Sequence, residues 1–215
     1  MKSFLIIGMG NFGHHLVREL SKYRCDIMIA DVKEDAMSDV LEYADSAKIA
    51  DCTNVETLRT FDIPSFDVCF VCIGRNFQNS LEITSQLKDL GARKVISKAD
   101  EDLQAKFLLR NGANKVVYPE REAAASIAVS ESSDSIFDCM PLTEGYGIYE
   151  IEPNSKWIGK TIAEADIRKN FGLSILATKK EESIHPLPES EYVFTKDEHI
   201  MVLGKEEDIM KVIEK

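Results

Sequence analysis

Ser3-Phe-Leu-Ile-Ile-Gly-Met-Gly-Asn-Phe-Gly-His-His-Leu-Val-Arg18 is the stretch that decides the fold. Its apolar residues 4–7 run straight into Gly8-x-Gly10-x-x-Gly13, and a helix-forming segment follows without a break. A second apolar run, 27–30, ends at Asp31, eighteen residues past Gly13. Strand, glycine turn, helix, second strand and terminal carboxylate in that order make the dinucleotide-binding fingerprint in its full context. Each part has a physical task. Gly8 permits the tight strand-to-helix turn, Gly10 lets a pyrophosphate approach the backbone, and Gly13 lets the helix lie close to the strand. Free N–H groups and the helix dipole then favour anionic phosphates. Asp31 is placed to accept hydrogen bonds from ribose hydroxyls, and its charge would repel a 2′-phosphate, which disfavours NADP. The competing reading is a glycine-rich turn in an α/β domain that binds nothing.

Composition narrows the class. The 215 residues suffice for one large domain or two small ones, and 44% hydrophobic with 29% charged residues is ordinary globular usage. A formal net charge of −11 lacks the basic footprint a nucleic-acid partner requires, and it suits an anionic membrane surface no better. No apolar run approaches the ~18 residues that cross a bilayer. The chain enters its first strand with no basic leader, so the expectation is a cytoplasmic protein without direct membrane insertion. Five scattered cysteines do not suggest a disulfide framework. Cys69-x-x-Cys72 lies within an apolar strand-like run, where positions three apart point to opposite faces. The pair reads as core, not as a metal or redox site.

Through the first ~120 residues, strand candidates at 4–7, 27–30, 47–50, 68–73, 95–97 and 116–118 alternate with helix candidates at 11–22, 34–43, 54–61, 76–90 and 101–111. That is the βαβ pattern of a doubly wound parallel sheet, a Rossmann-like α/β domain, with Gly91 and Gly112 as helix stops. An alanine-rich helical segment at 120–129 dissolves into the polar run 130–135, the expected boundary between a domain of residues 1–135 and a second of residues 136–215. The second reads as a small α+β module, with strands at 147–152, 174–178 and 199–203 and helices at 161–170 and 206–213.

A dinucleotide fold suggests hydride transfer, so catalytic groups must be sought explicitly. Tyr192-x-x-x-Lys196 matches the tyrosine–lysine pair of short-chain dehydrogenases, but that pair must share a helix face. Here it follows Pro186 and Pro188 among β-forming residues. His14, His15, His185 and His199 have no carboxylate or thiol at a catalytic spacing, and no zinc spacing exists. No catalytic residue is assigned. An NAD-dependent oxidoreductase and a stand-alone nucleotide sensor stand as the alternative functions.

Gly8-Met-Gly-Asn-Phe-Gly13, Asp31, Ala50-Asp-Cys-Thr53, Ile73-Gly-x-Asn76-x-Gln78, Ser97-Lys98-Ala99 and Gly112-Ala-Asn-Lys-Val-Val-Tyr-Pro-Glu120 occur in that order. Together they resemble the nucleotide-binding subunits of bacterial Trk/Ktr potassium-uptake systems, which carry a regulator-of-conductance-of-potassium (RCK) domain. Trp157-Ile-Gly-Lys-Thr-Ile162, Asp166-Ile-Arg168, Gly172-x-Ser-Ile-Leu-Ala177, Pro188 and Met201-Val-Leu-Gly204 are similar to the small RCK C-terminal domain. The resemblance covers essentially the whole chain. It implies a regulatory adenine nucleotide, ATP/ADP or NAD/NADH, and no catalytic task. Gly8, Gly10, Asn11, Phe12 and Gly13 would hold phosphates, and Asp31 the ribose. Asp51 with Cys52 would lie on the adenine side, Gly74 and Asn76 beside the ligand, and Lys98 would add positive charge. It further implies a divalent cation at Glu120, although that carboxylate also suits a helix N-terminus. Cyclic di-AMP is implied at Ile162, Arg168, Ile175 and Pro188. Homodimers would assemble into a ring beneath a separate membrane potassium channel. One departure is Asn11, where ATP-regulated members commonly carry arginine; Arg18 and Arg75 are the candidate replacements. Another is Ser174, where members that bind cyclic di-AMP tend to have an amide.

Overall fold

The computed structural model describes residues 1–143 and 145–213. They divide into two compact units, Met1–Arg121 and Glu122–Lys215.

The first unit contains β1 (Lys2–Ile7), α1 (Asn11–Leu20), β2 (Cys25–Asp31), β3 (Ser46–Ile49), α2 (Val55–Arg59), β4 (Val68–Val71), α3 (Phe77–Asp89), β5 (Val95–Lys98), α4 (Asp102–Arg110), β6 (Lys115–Val117) and the start of α5 (Pro119–Ser130). The six strands form one parallel sheet in the order β3-β2-β1-β4-β5-β6. Chain order reverses between β1 and β4, so their carboxyl ends flank the crevice where such sheets take ligands. Alternation along β1 sends Leu5 and Ile7 to one core and Phe4 and Ile6 to the other. Cys69 belongs to the first of these cores and Cys72 to the second, as the opposed-face reading of the pair requires. All five cysteines are free thiols.

The segment expected as a helix at 34–43 is instead a 3-10 stretch, Ser38–Tyr43, entered through turns. Its bonds run from Met37 N–H to Glu34, Val40 to Met37 and Ala44 to Leu41. Asp35, Ser38 and Asp39 compete for backbone bonds and weaken a regular helix there.

The second unit contains β7 (Ile136–Thr143), β8 (Tyr146–Ile151), α6 (Ile162–Ala165), α7 (Ile167–Phe171), β9 (Ser174–Lys180), β10 (Ser183–Pro186), β11 (His199–Lys205) and α8 (Glu206–Ile213). Its antiparallel sheet runs β10-β9-β11-β8-β7. The two strands not foreseen, β7 and β10, are its two edges. Only Ile136 and Cys139 of β7 are buried, and β10 buries nothing, so neither shows clean alternation. Each contains a proline, Pro141 and Pro186, a residue that demotes a strand reading and is tolerated at edges. The single helix expected at 161–170 breaks in two at Asp166, whose φ of 44° and ψ of 46° are left-handed. A capping box of Thr161 and Glu164 starts the first piece.

Helix α5 runs across the divide between the units. Ser126 Oγ donates to the Cys139 carbonyl, and Val129 packs against the second core. The polar run at 130–135 therefore marks the end of α5 and leads into β7, while the compact units part nine residues earlier, after Arg121.

Trp157, the single tryptophan, is buried in the second unit with its ring 6.1 Å from that of Phe194. Phe194→Ala should lower the stability of that unit by about 3–5 kcal/mol. Trp157 fluorescence during denaturant unfolding measures it, and an unshifted midpoint would contradict the packing.

Candidate functional site

Every expected nucleotide-site residue except Gly13 lines one cavity of about 810 Å³ at the carboxyl ends of β1, β2 and β4. The turn from β1 to α1 forms its floor. Gly8 has a φ of 96°, a conformation side chains rarely adopt, and its N–H donates to Ala30 O. Gly13 stands behind the turn: a Cβ there would overlap the Gly8 carbonyl oxygen, so the helix reaches its position only with glycine. Gly10 is the opposite case. A Cβ on it would meet nothing within 4 Å, because its α-carbon faces the open cavity. The first bond of α1 runs from His14 N–H to Gly10 O, so the N–H groups of Asn11, Phe12 and Gly13 precede the helix ladder. A cradle that side chains leave empty, next to a helix N-terminus, fits a phosphate.

Asp31 ends β2 facing this turn. Its Oδ2 accepts from Met9 N–H at 2.7 Å and its Oδ1 from Lys33 N–H at 2.9 Å. The carboxylate thus fixes the glycine turn while lining the cavity. Asp51 accepts from both the hydroxyl and the N–H of Thr53, bonds that hold its carboxyl below the usual range. Cys52 is buried, and desolvation, reinforced by the Asp51 and Asp31 charges, pushes its thiol up to about 12. It serves as an apolar wall.

Lys98, at the end of β5, has a side chain only 11% exposed. Burial favours its neutral form, but the Glu120 hydrogen bond at 2.6 Å and the Asp100 and Glu120 charges outweigh that and hold its pKa above the ordinary value. Lys33, Arg75 and Lys98 face Asp31, Asp51 and Glu120 around the cavity, so its formal charges balance. Arg18 lies away from it, donating to Asp39 O and stacking near Tyr43. Arg75 lines the wall and is thus the arginine available to the site. His14 turns its Nε2 to Ala36 O at 2.6 Å, and His15 is exposed.

Sequence reasoning overlooked Val32, Lys33, Ala36 and Asn79 in the lining. Lys33 follows Asp31 by two residues, and Asn79 follows Asn76 by three on α3; a search one turn beyond each motif would have found them. Glu120 meets an ammonium, and among the described residues no group of three potential metal ligands forms. In the second unit, Ile162 and Ile175 pack against the core, Pro188 is half-buried, and Arg168 is exposed on α7 without an ion pair among the described residues. Tyr192 and Lys196 lie outside any helix, and the Tyr192 hydroxyl donates to Glu198, so the dehydrogenase arrangement is absent. No described helix is long and apolar enough to cross a membrane.

Fold and cleft define a Rossmann-type α/β protein with a small antiparallel second unit. The TrkA-N domain model matches residues 4–119 and the TrkA-C domain model residues 147–215; the chain belongs to this TrkA family. It is 33% identical to Ktr system potassium uptake protein C of Bacillus subtilis over 210 residues, 98% of this chain and 95% of that one. With Ktr system potassium uptake protein A of the same organism it shares 29% over the same proportions. A solved structure of the GsuK channel bound to NAD superposes with a TM-score of 0.69 at 18% identity, covering 99% of this chain. This chain spans only 39% of that solved one.

Gly13→Ala should cost roughly 1–3 kcal/mol through overlap with the turn, whereas Gly10→Ala should shift stability by less than about 0.5 kcal/mol. Thermal melts of the two variants compare them directly; equal melts would refute the packing described. Iodoacetamide at pH 8 should alkylate Cys52 at least about a hundredfold more slowly in the native than in the unfolded chain, given a thiolate fraction near ~10⁻⁴. Equal rates by peptide mass mapping would show that Cys52 is not held as described.

Proposed function

We propose that the chain is the cytoplasmic nucleotide-binding regulatory subunit of a potassium uptake system, gating a separate membrane channel. The observation that carries this reading is the Gly10 cradle beside Asp31, in a chain that aligns end to end with a Ktr potassium uptake protein. The N–H groups of Asn11 and Phe12 would bind phosphate and Asp31 the ribose. Asp51 and Cys52 would lie on the adenine side, Gly74 and Asn76 would border the ligand, and Lys98 would supply positive charge. The ligand's chemistry is binding alone, and no turnover is assigned. An adenine nucleotide is the ligand class, and ATP, ADP, NAD and NADH all belong to it.

Regulation then follows from linkage. A nucleotide biases the channel only by its difference in affinity for two shapes of the regulatory assembly, typically ~1–3 kcal/mol per site. Homodimers built into a ring would repeat that bias at every site. Within the same reading, cyclic di-AMP would meet Ile162, Arg168, Ile175 and Pro188, and a divalent cation would meet Glu120. Neither is needed for the nucleotide to act.

Gly10→Ala separates binding from folding. Calorimetry with ATP, ADP, NAD and NADH should give at least one ligand whose affinity falls about tenfold or more in this variant, because the added methyl occupies the phosphate cradle. In the native host, a Gly10→Ala gene replacement should impair growth at limiting potassium. Binding of none of the four ligands would sink the nucleotide role. Binding without a potassium phenotype would favour a stand-alone sensor.

A further inference from the structure

We propose that the second unit holds a binding site for a small organic cation, in the recess between α5, β7, β8 and the start of α8. The recess measures about 240 Å³, lies wholly within that unit and shares no residue with the nucleotide cleft. It is smaller than a drug-sized pocket, which limits the ligand to about one ring. The inference stands apart from the nucleotide-binding reading.

Cys139 and Tyr149 form the floor, 6% and 3% exposed. They face each other across the β7–β8 ladder, with the Tyr149 hydroxyl hydrogen-bonded to the Cys139 thiol. Gly147 makes room for the phenol, since a Cβ there would lie 2.9 Å from Tyr149 Cε2. Above the floor stand apolar groups that the protein leaves uncovered. Leu142 is 50% exposed and Tyr146 41%, beside Ala125 and Val129 of α5. Concave apolar surface around a few buried polar groups is the usual composition of a small-molecule site.

The charge of the recess selects the ligand. Burial raises the Cys139 thiol and the Tyr149 phenol, the latter to about 12, and the Glu206 charge adds to both shifts. Both floor groups are therefore neutral at pH 7. Glu206 lines the recess, is exposed, and has no ion pair among the described residues. The positive end of α8 is covered by Glu206, Glu207 and Asp208, so the mouth stays negative. Among the described lining residues none is cationic. Lys205 shows that an ammonium suits this place, because its Nζ lies 5.5 Å from the centre of the Tyr146 ring. A ligand would lay its apolar body against Val129 and Leu142 and turn its cation to Glu206 and the Tyr146 ring.

Ligand-detected NMR titrations of the full chain with benzylamine, benzyl alcohol and benzoate test this. Benzylamine should bind with a Kd of about 5 mM or tighter, the scale of a fragment that small, and benzoate at least about 10-fold more weakly. Ala125→Leu, at an exposed position of α5, places a larger side chain in the recess and should weaken benzylamine at least about 10-fold. Glu206→Gln should weaken benzylamine roughly 3-fold or more and leave benzyl alcohol within about 2-fold. Melting curves check that both variants are folded. No benzylamine binding in the wild type, equal binding of benzoate, or unchanged benzylamine affinity in either folded variant would overturn the proposal. So would a Glu206→Gln effect of equal size on benzyl alcohol.

Discussion

Helix α1 can approach the β1 turn only because Gly13 has no side chain against the Gly8 carbonyl. That contact sets the height of the helix over the sheet and aims its first N–H groups at the crevice between β1 and β4. Asp31 completes the arrangement from the neighbouring strand by accepting the Met9 N–H across 22 residues of chain. The turn is thus held from behind by a missing methyl and from the side by a carboxylate. Around this turn the cleft is lined by the ends of the neighbouring strands, by Asn79 and Ile83 of α3 and by Glu120 at the start of α5.

The electrostatics of the cleft follow from how its charges are spent within the protein. Asp51 is occupied by Thr53, Lys98 by Glu120 and Asp100, and both Asp31 oxygens by backbone donors. The elements left free to meet an anion are the backbone N–H groups with the α1 dipole, which act at short range and with fixed direction, and the Lys33 and Arg75 side chains that line the cavity. A site of this kind offers an anion both fixed direction and positive charge.

Much of the first unit was legible because two periodicities repeat there: apolar runs of strand length, and helices closed by Gly91 and Gly112. The cleft was legible from Gly8, Gly10, Gly13 and Asp31, whose spacing is fixed by turn geometry. What was not legible depends on contacts distant in sequence. Nothing in residues 136–143 or 183–186 alternates, since edge strands need only one partner and bury little. The break at Asp166 comes from a left-handed residue within a pattern that reads as helical. The partnership of Lys98 with Glu120 joins residues 22 apart through the β5–β6 connection, and no local signal announces it. Lys33 was overlooked because the fingerprint stops at Asp31, whereas the cavity does not.

Both edges of the five-stranded sheet contain a proline, Pro141 in β7 and Pro186 in β10, and the register of β7 shifts between Pro141 and Thr143. Proline supplies no N–H, so a strand laid alongside either edge would leave a carbonyl without its partner at that point. The second unit is thereby poorly suited to recruiting another chain by lengthening its sheet. Edge-to-edge growth between copies, the route to fibrils, is weakened at both sides of the sheet.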